Sequence, residues 1–216
     1  MRGRPPAPAK PGSAGRGLAV EGRLALAALR GAGPPLPLET AKGKEVLVRA
    51  GPLSPGGRPV VTAQVQHFER GRVLSGDGAE ALAVAAGLAL ERRLPLVAAL
   101  TSSGQDLGEG VAALDGWGRA AKAFSRCSGV VPVVAVLDGP LLSGPALLLG
   151  LADAVVMTPR ALAYISGPAA VAEVTGVPAR PSELGGASVH STQSRWLGMR
   201  TKSLQPLRRS PSANPR

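Results

Sequence analysis

The chain has 216 residues, 44% hydrophobic but only 2% aromatic, so Ala, Val and Leu must build most of any core. Its formal charge of +11 sits at the ends: residues 1–30 carry six Lys/Arg against one acid, residues 195–216 carry six against none, and residues 31–194 are neutral with thirteen of each. That distribution argues against a folded nucleic-acid-binding domain, which would place the charge on its surface, and leaves a nucleic-acid-binding basic tail as a distant alternative; a single cysteine, Cys127, excludes an internal disulfide and a Cys-based zinc site.

Residues 1–17 are low in complexity and read as disordered, and 18–40 hold a short helical possibility at 21–30 followed by a linker through Pro34, Pro35 and Pro37. The Val-rich runs 45–50 and 58–66, separated by Gly51, Pro52, Pro55, Gly56 and Gly57, predict a hairpin-like pair of strands. Residues 79–93 predict a helix with Asp77 as N-cap and Arg92 and Arg93 in the last turn, where cations suit the helix dipole. After Pro95, the apolar run 96–100 predicts a buried strand, followed by a polar turn over 101–110 and a second helix over 111–125. The run 130–137 predicts another buried strand, ended by Gly139 and Pro140, and a hydrophobic helix should start near Pro145, which suits a first helical position. Short strands at 154–157 and 161–165 and a helix over 169–175 follow. Alternating strands and helices imply parallel strands joined by crossover helices.

There is no secretory pattern at the N-terminus, and Gly144, Pro145, Gly150 and Asp153 interrupt the apolar run 141–157, so the expectation is a soluble cytoplasmic protein without a membrane span. Residues 195–216 show neither periodicity and carry no acid; a native basic tail and a shifted reading frame both account for them.

Two loops, 101–110 and 138–146, each follow a predicted buried strand and lead into a helix. Their small residues allow a ligand to approach the backbone, and free N–H groups at a helix start favour negative charge. Amides from two such turns around one carbonyl oxygen make an oxyanion hole; a tight helix start at Gly144 and Pro145 accounts for the same residues. Cys127, beside Ser128 and Gly129, reads as a buried small side chain. His67 and His190 are too far apart in sequence to suggest a metal cluster or a Cys–His pair.

Residues 58–194 resemble the N-terminal half of the β subunits of biotin-dependent acetyl-CoA and propionyl-CoA carboxylases, a branch of the crotonase superfamily. The resemblance is carried by EGVAALDGWGRAAKAFSRCSGVVPVVAV from Glu109, by YISGPAAVAEVTG from Tyr164, and by Glu183, Leu184, Gly185, Gly186 and Ala187 with His190. It implies an α/β fold, the crotonase-like ββα spiral, as a single truncated domain over 41–194 between disordered ends at 1–40 and 195–216. It also implies a backbone oxyanion hole at Ser143 and Gly144, where the family has a Gly-Gly pair, and acyl-CoA contacts at Ser103, Gly104, Gly139 and Pro140. Ser143 replaces one glycine, Pro145 removes one N–H, and Asp106 stands where the family has Arg, which puts substrate choice in question.

The chemistry implied is transfer of a carboxyl group from carboxybiotin, held on a partner carrier protein, to the α carbon of an acyl-CoA, with no metal and no protein base. Implied partners are an acyl-CoA, a biotin carboxylase and biotin carboxyl carrier subunit, and either a separate C-terminal carboxyltransferase half or further copies of the chain; nucleic acid and membrane are not among them. Two other functions fit the same fold: a non-catalytic assembly subunit and a crotonase-type enoyl-CoA hydratase or isomerase. A hydratase wants two carboxylates after the second loop, and positions 141–165 hold only Asp153, which reads as structural. Glu109 reads as a helix-start carboxylate, His190 as a loop histidine, Trp117 and Tyr164 as core or interface aromatics, and Arg92, Arg93 and Arg119 as solvated helix faces.

Overall fold

The computed structural model describes residues 45–53, 56–66 and 73–192. The helical possibility at 21–30, His67 and the basic tail lie outside the described residues. Strands β1 (Val46–Pro52) and β2 (Pro59–Val65) pair antiparallel, as their Val-rich, Gly/Pro-separated runs require. Helix α1 (Gly76–Arg92), β3 (Leu96–Ser102), α2 (Val111–Cys127), β4 (Val133–Leu142), an eight-residue 3-10 helix (Gly144–Leu151) and β5 (Ala154–Met157) follow. β2, β3, β4 and β5 run parallel in that order. A last short strand, β6 (Leu162–Tyr164), pairs parallel with the far end of β4, and α3 (Pro168–Thr175), α4 (Pro181–Gly185) and α5 (Ala187–Thr192) complete the described chain.

The core lies on the face of the sheet covered by α1 and α2. Alternation along the strands sends Val61 and Ala63, Leu96, Ala98 and Leu100, and Val133, Ala135 and Leu137 into it. With so few aromatics, close approach replaces bulk: α1 buries Ala79, Ala81, Leu82, Ala85, Ala86 and Ala89, and α2 answers with Ala113, Gly116, Trp117, Ala120, Phe124 and Cys127 at helical spacing. A Cβ on Gly116 would stand 3.0 Å from Gly76 Cα and 3.0 Å from Gly76 O, so only glycine lets the helices meet there.

Several expectations change in detail. Ser75, not Asp77, is the N-cap of α1, its hydroxyl accepting the Gly78 N–H at 3.1 Å while Asp77 sits in the first turn. Arg93 lies just past the helix, a left-handed C-cap at φ 53° whose N–H closes onto Ala89 and Leu90. Gly139 and Pro140 do not end β4. Leu100 pairs with Leu137 but Ser102 pairs with Leu141, so β4 carries two extra residues in a bulge, a sheet context that accepts proline in mid-strand. The apolar segment from Gly144 winds as a 3-10 helix with Pro145 in its first turn. Asp153 is structural: its Oδ2 accepts the Val133 N–H at 2.7 Å.

Candidate active site

The site is made where β3 and β4 leave the sheet. Leu141 of β4 lies between Ser102 of β3 and Ala163 of β6, so the residues that follow emerge side by side. A Cβ built on Gly104 would be 3.8 Å from Ser143 Cβ, and one built on Gly144 would be 2.5 Å from Gln105 Oε1. The two loops singled out in the sequence therefore meet, Gly104 against Ser143 and Gln105 against Gly144. The other residues expected to contact acyl-CoA sit behind this junction. A Cβ on Gly139 would stand 3.0 Å from Thr101 Oγ1, and the same hydroxyl donates to the Pro140 carbonyl at 3.1 Å. Ser103 is half-buried beside them.

The main-chain donors divide into engaged and available groups. Ser143 adopts φ 62° and ψ −140°, so it takes the left-handed turn that glycine would normally supply. Its N–H is engaged, donating to the Tyr164 carbonyl at 3.0 Å. Of the expected pair Ser143 and Gly144, only Gly144 keeps an N–H without an acceptor among the described residues, at the start of the 3-10 helix where partial positive charge gathers. In the first loop the Gly104 N–H is engaged by Ser102 Oγ at 3.1 Å. The Gly104 carbonyl accepts from Leu74 N and the Asp106 N–H donates to the Leu74 carbonyl, so both point to one edge. In an extended backbone the intervening Gln105 N–H must point to the opposite edge, and it too meets no acceptor among the described residues. The sequence reading missed Gln105; the signal that finds it is the β-bridge between Leu74 and Gln105, which no local pattern announces.

The carboxylates near the site hold structure. Glu109 Oε2 accepts the Gly76 N–H at 2.6 Å, so it serves a helix start, but that of α1 and not of α2, the helix it precedes. Asp138 is paired with Arg160, whose Nε donates to the Asp138 carboxylate at 2.8 Å; that bond holds the guanidinium above its usual range. His190, in α5, brings Nε2 to 2.8 Å from the Ala163 carbonyl. Gly185 and Gly186 allow that docking: a Cβ on Gly185 would collide with the Ala163 carbonyl, and one on Gly186 with Ser182 O. The segment that carries Glu183, Leu184, Gly185, Gly186, Ala187 and His190 is thus a clamp on β6. Cys127 is buried and its thiol is pushed up chiefly by desolvation, against any role as a nucleophile. Trp117 is a core residue, and Arg119 is tied to Glu80 and Asp115 on the helix surface.

Parallel strands linked by crossover helices, with two strand-to-helix turns abutting at their C-terminal ends, form an α/β fold that this chain shares with solved crotonase-type carboxyltransferases. The solved structure of the transcarboxylase 12S, with methylmalonyl-CoA and methylmalonic acid bound, superposes with a TM-score of 0.65 at 32% identity over 69% of this chain and 29% of that one. The β subunit of geranyl-CoA carboxylase from P. aeruginosa superposes with a TM-score of 0.66 at 26% identity, over 81% of this chain and 34% of its own. Residues 53–197, more than half of the chain, match the carboxyl transferase domain, and the chain belongs to that family. It is 34% identical over 138 residues to the methylmalonyl-CoA carboxyltransferase 12S subunit of Propionibacterium freudenreichii subsp. shermanii, and 35% identical over 124 residues to the propionyl-CoA carboxylase beta chain of Rhodococcus erythropolis. These matches cover 62% and 57% of this chain and 26% of each relative, so the chain spans about a quarter of their length.

Proposed function

We propose that this domain is the acyl-CoA-binding half of a carboxyltransferase that works with a biotin-dependent acyl-CoA carboxylase. The observation that carries the reading is the pair of unengaged N–H groups at Gln105 and Gly144, on two loop ends in contact. Two such donors suit one thioester oxygen, and they stabilise it more as it gains charge when the α carbon loses a proton. The domain's contribution is then orientation of the thioester and stabilisation of the enolate oxygen.

The donor pair serves one oxygen, that of the thioester. Biotin, which would bring the carboxyl group, is assigned to a carrier and to a further carboxyltransferase part, either a separate C-terminal half or another copy of the chain. The hydratase alternative lacks its pair of acids: Asp153 and Glu109 both hold backbone N–H groups.

Calorimetric titration of the full chain with acetyl-CoA and propionyl-CoA tests the reading. Saturable binding of the thioesters, tighter than free CoA, is expected. No binding would favour a non-catalytic assembly subunit, and hydration of crotonyl-CoA without biotin would favour the hydratase.

A further inference from the structure

Gln105 brings more than its N–H to the junction. Its side-chain Oε1 occupies the space beside Gly144 that a Cβ would fill, 2.5 Å from that ideal position. Gln105 is half-buried, yet its amide forms no hydrogen bond with any described residue. Its neighbours differ: Thr101 bonds Pro140 O, Ser102 bonds the Gly104 backbone, and Asp106 caps the Gly108 N–H at 2.9 Å. The Gln105 amide therefore plays no part in holding the loop. It forms a polar wall against the glycine whose N–H is one of the two available donors.

A thioester oxygen at the Gln105 and Gly144 N–H groups puts its carbonyl carbon, and the acyl chain leaving it, within van der Waals reach of that wall. Two effects then act in the same direction. The amide takes up room that a long chain needs, and each added methylene that packs on it must desolvate a polar group without replacing its hydrogen bonds. A chain of two or three carbons sets few methylenes against the wall and meets little of either penalty.

Resting on the acyl-CoA reading above, we propose that Gln105 is a specificity-determining residue that restricts this site to short acyl chains. The test is calorimetric titration of wild-type, Gln105→Ala and Gln105→Ser full-length chains with free CoA, acetyl-CoA, butanoyl-CoA and octanoyl-CoA. The backbone bridge between residue 105 and Leu74 does not depend on the side chain, and two truncations guard against one that misfolds. In both variants octanoyl-CoA is expected to gain about tenfold in affinity relative to acetyl-CoA, since each methylene newly accommodated adds up to about fourfold. Free CoA, which lacks the acyl chain, is the reference against which that gain is read. An octanoyl-to-acetyl ratio that stays the same in both variants overturns the assignment of Gln105 and leaves the acyl-CoA reading standing. A wild-type chain that binds none of the four ligands overturns both.

Discussion

Ser143 donates its N–H to the Tyr164 carbonyl at 3.0 Å, and that bond ties the turn after β4 to the end of β6. It also fixes which N–H faces the candidate site, because the donor after it, Gly144, is left without an acceptor among the described residues. Ser143 holds this position at φ 62°, where a Cβ is crowded by its own backbone. Such a conformation costs about 1–3 kcal/mol for a residue other than glycine. Ser143→Gly removes the strain but adds about 0.5–1 kcal/mol of unfolded-state entropy. The net expectation is a gain of about 1 kcal/mol, seen as a melting temperature higher by roughly 2–4 °C. Ser143→Val is expected to lower it, since β-branching adds to the crowding. A melting temperature that falls in Ser143→Gly would mean that the side chain, and not the turn, is what the position needs.

The clamp on β6 should be felt at the same turn. Gly185→Ala drives a methyl group into the Ala163 carbonyl and towards Tyr164 Cδ1, 2.8 Å from the built Cβ. Overpacking of this kind costs about 1–3 kcal/mol. His190→Ala removes the contact to Ala163 O, a loss of about 1 kcal/mol. Urea denaturation should rank the two variants in that order. Both should also weaken acetyl-CoA binding, because β6 positions Ser143 and through it Gly144. Full stability with lost binding in His190→Ala would instead place His190 in contact with the ligand.

The order of elements was legible from periodicity and punctuation, and the chemistry was legible only in part, for a physical reason. The run 96–100 announced its strand because an interior parallel strand, buried along its whole length, reads as apolar throughout. The extension of β4 through Gly139 and Pro140 was not legible, because its partner is β6, whose Leu162 pairs with Pro140 from twenty-two residues further on. Ser143 and Gly144 were marked by resemblance, yet whether an N–H is free depends on which carbonyl faces it. Tyr164 supplies that carbonyl through tertiary pairing. Gln105 was passed over on the same ground: its neighbours' bonds to Leu74 turn its N–H outward, and Leu74 lies thirty-one residues upstream.

Cys127 makes a pH prediction. Burial raises its thiol above the ordinary value of 9.0, with Asp153 adding to the shift and Arg126 opposing it. The folded chain therefore keeps a proton that the unfolded chain releases above about pH 9. Stability follows the difference in bound protons, so the contribution is fully present below that pH and is lost as pH rises through the folded value. Urea midpoints should fall as pH rises above about 9, and Cys127→Ala should flatten that fall. Alkylation by iodoacetamide at pH 8 should be slow in the native chain and at least tenfold faster in urea. Equal rates in the two states would contradict the buried thiol.

Glu109 decides between a structural and a catalytic carboxylate near the first loop. Its Oε2 accepts the Gly76 N–H at 2.6 Å, while Glu45 Oε2 accepts from both the N–H and the hydroxyl of Ser75. Two carboxylates from separate parts of the chain thus close the start of α1, where unpaired donors and the helix dipole both favour negative charge. Glu45→Ala, the more buried of the two sites, should cost about 1 kcal/mol. Glu109→Gln keeps an acceptor for Gly76 but loses the charge, and should cost less than Glu109→Ala. Neither change at Glu109 should alter the affinity for acetyl-CoA, because the carboxylate is directed at α1 and not at the junction of Gln105 and Gly144. An affinity that falls in Glu109→Gln while the urea midpoint holds would show the carboxylate acting on the ligand, and would return the hydratase alternative to consideration.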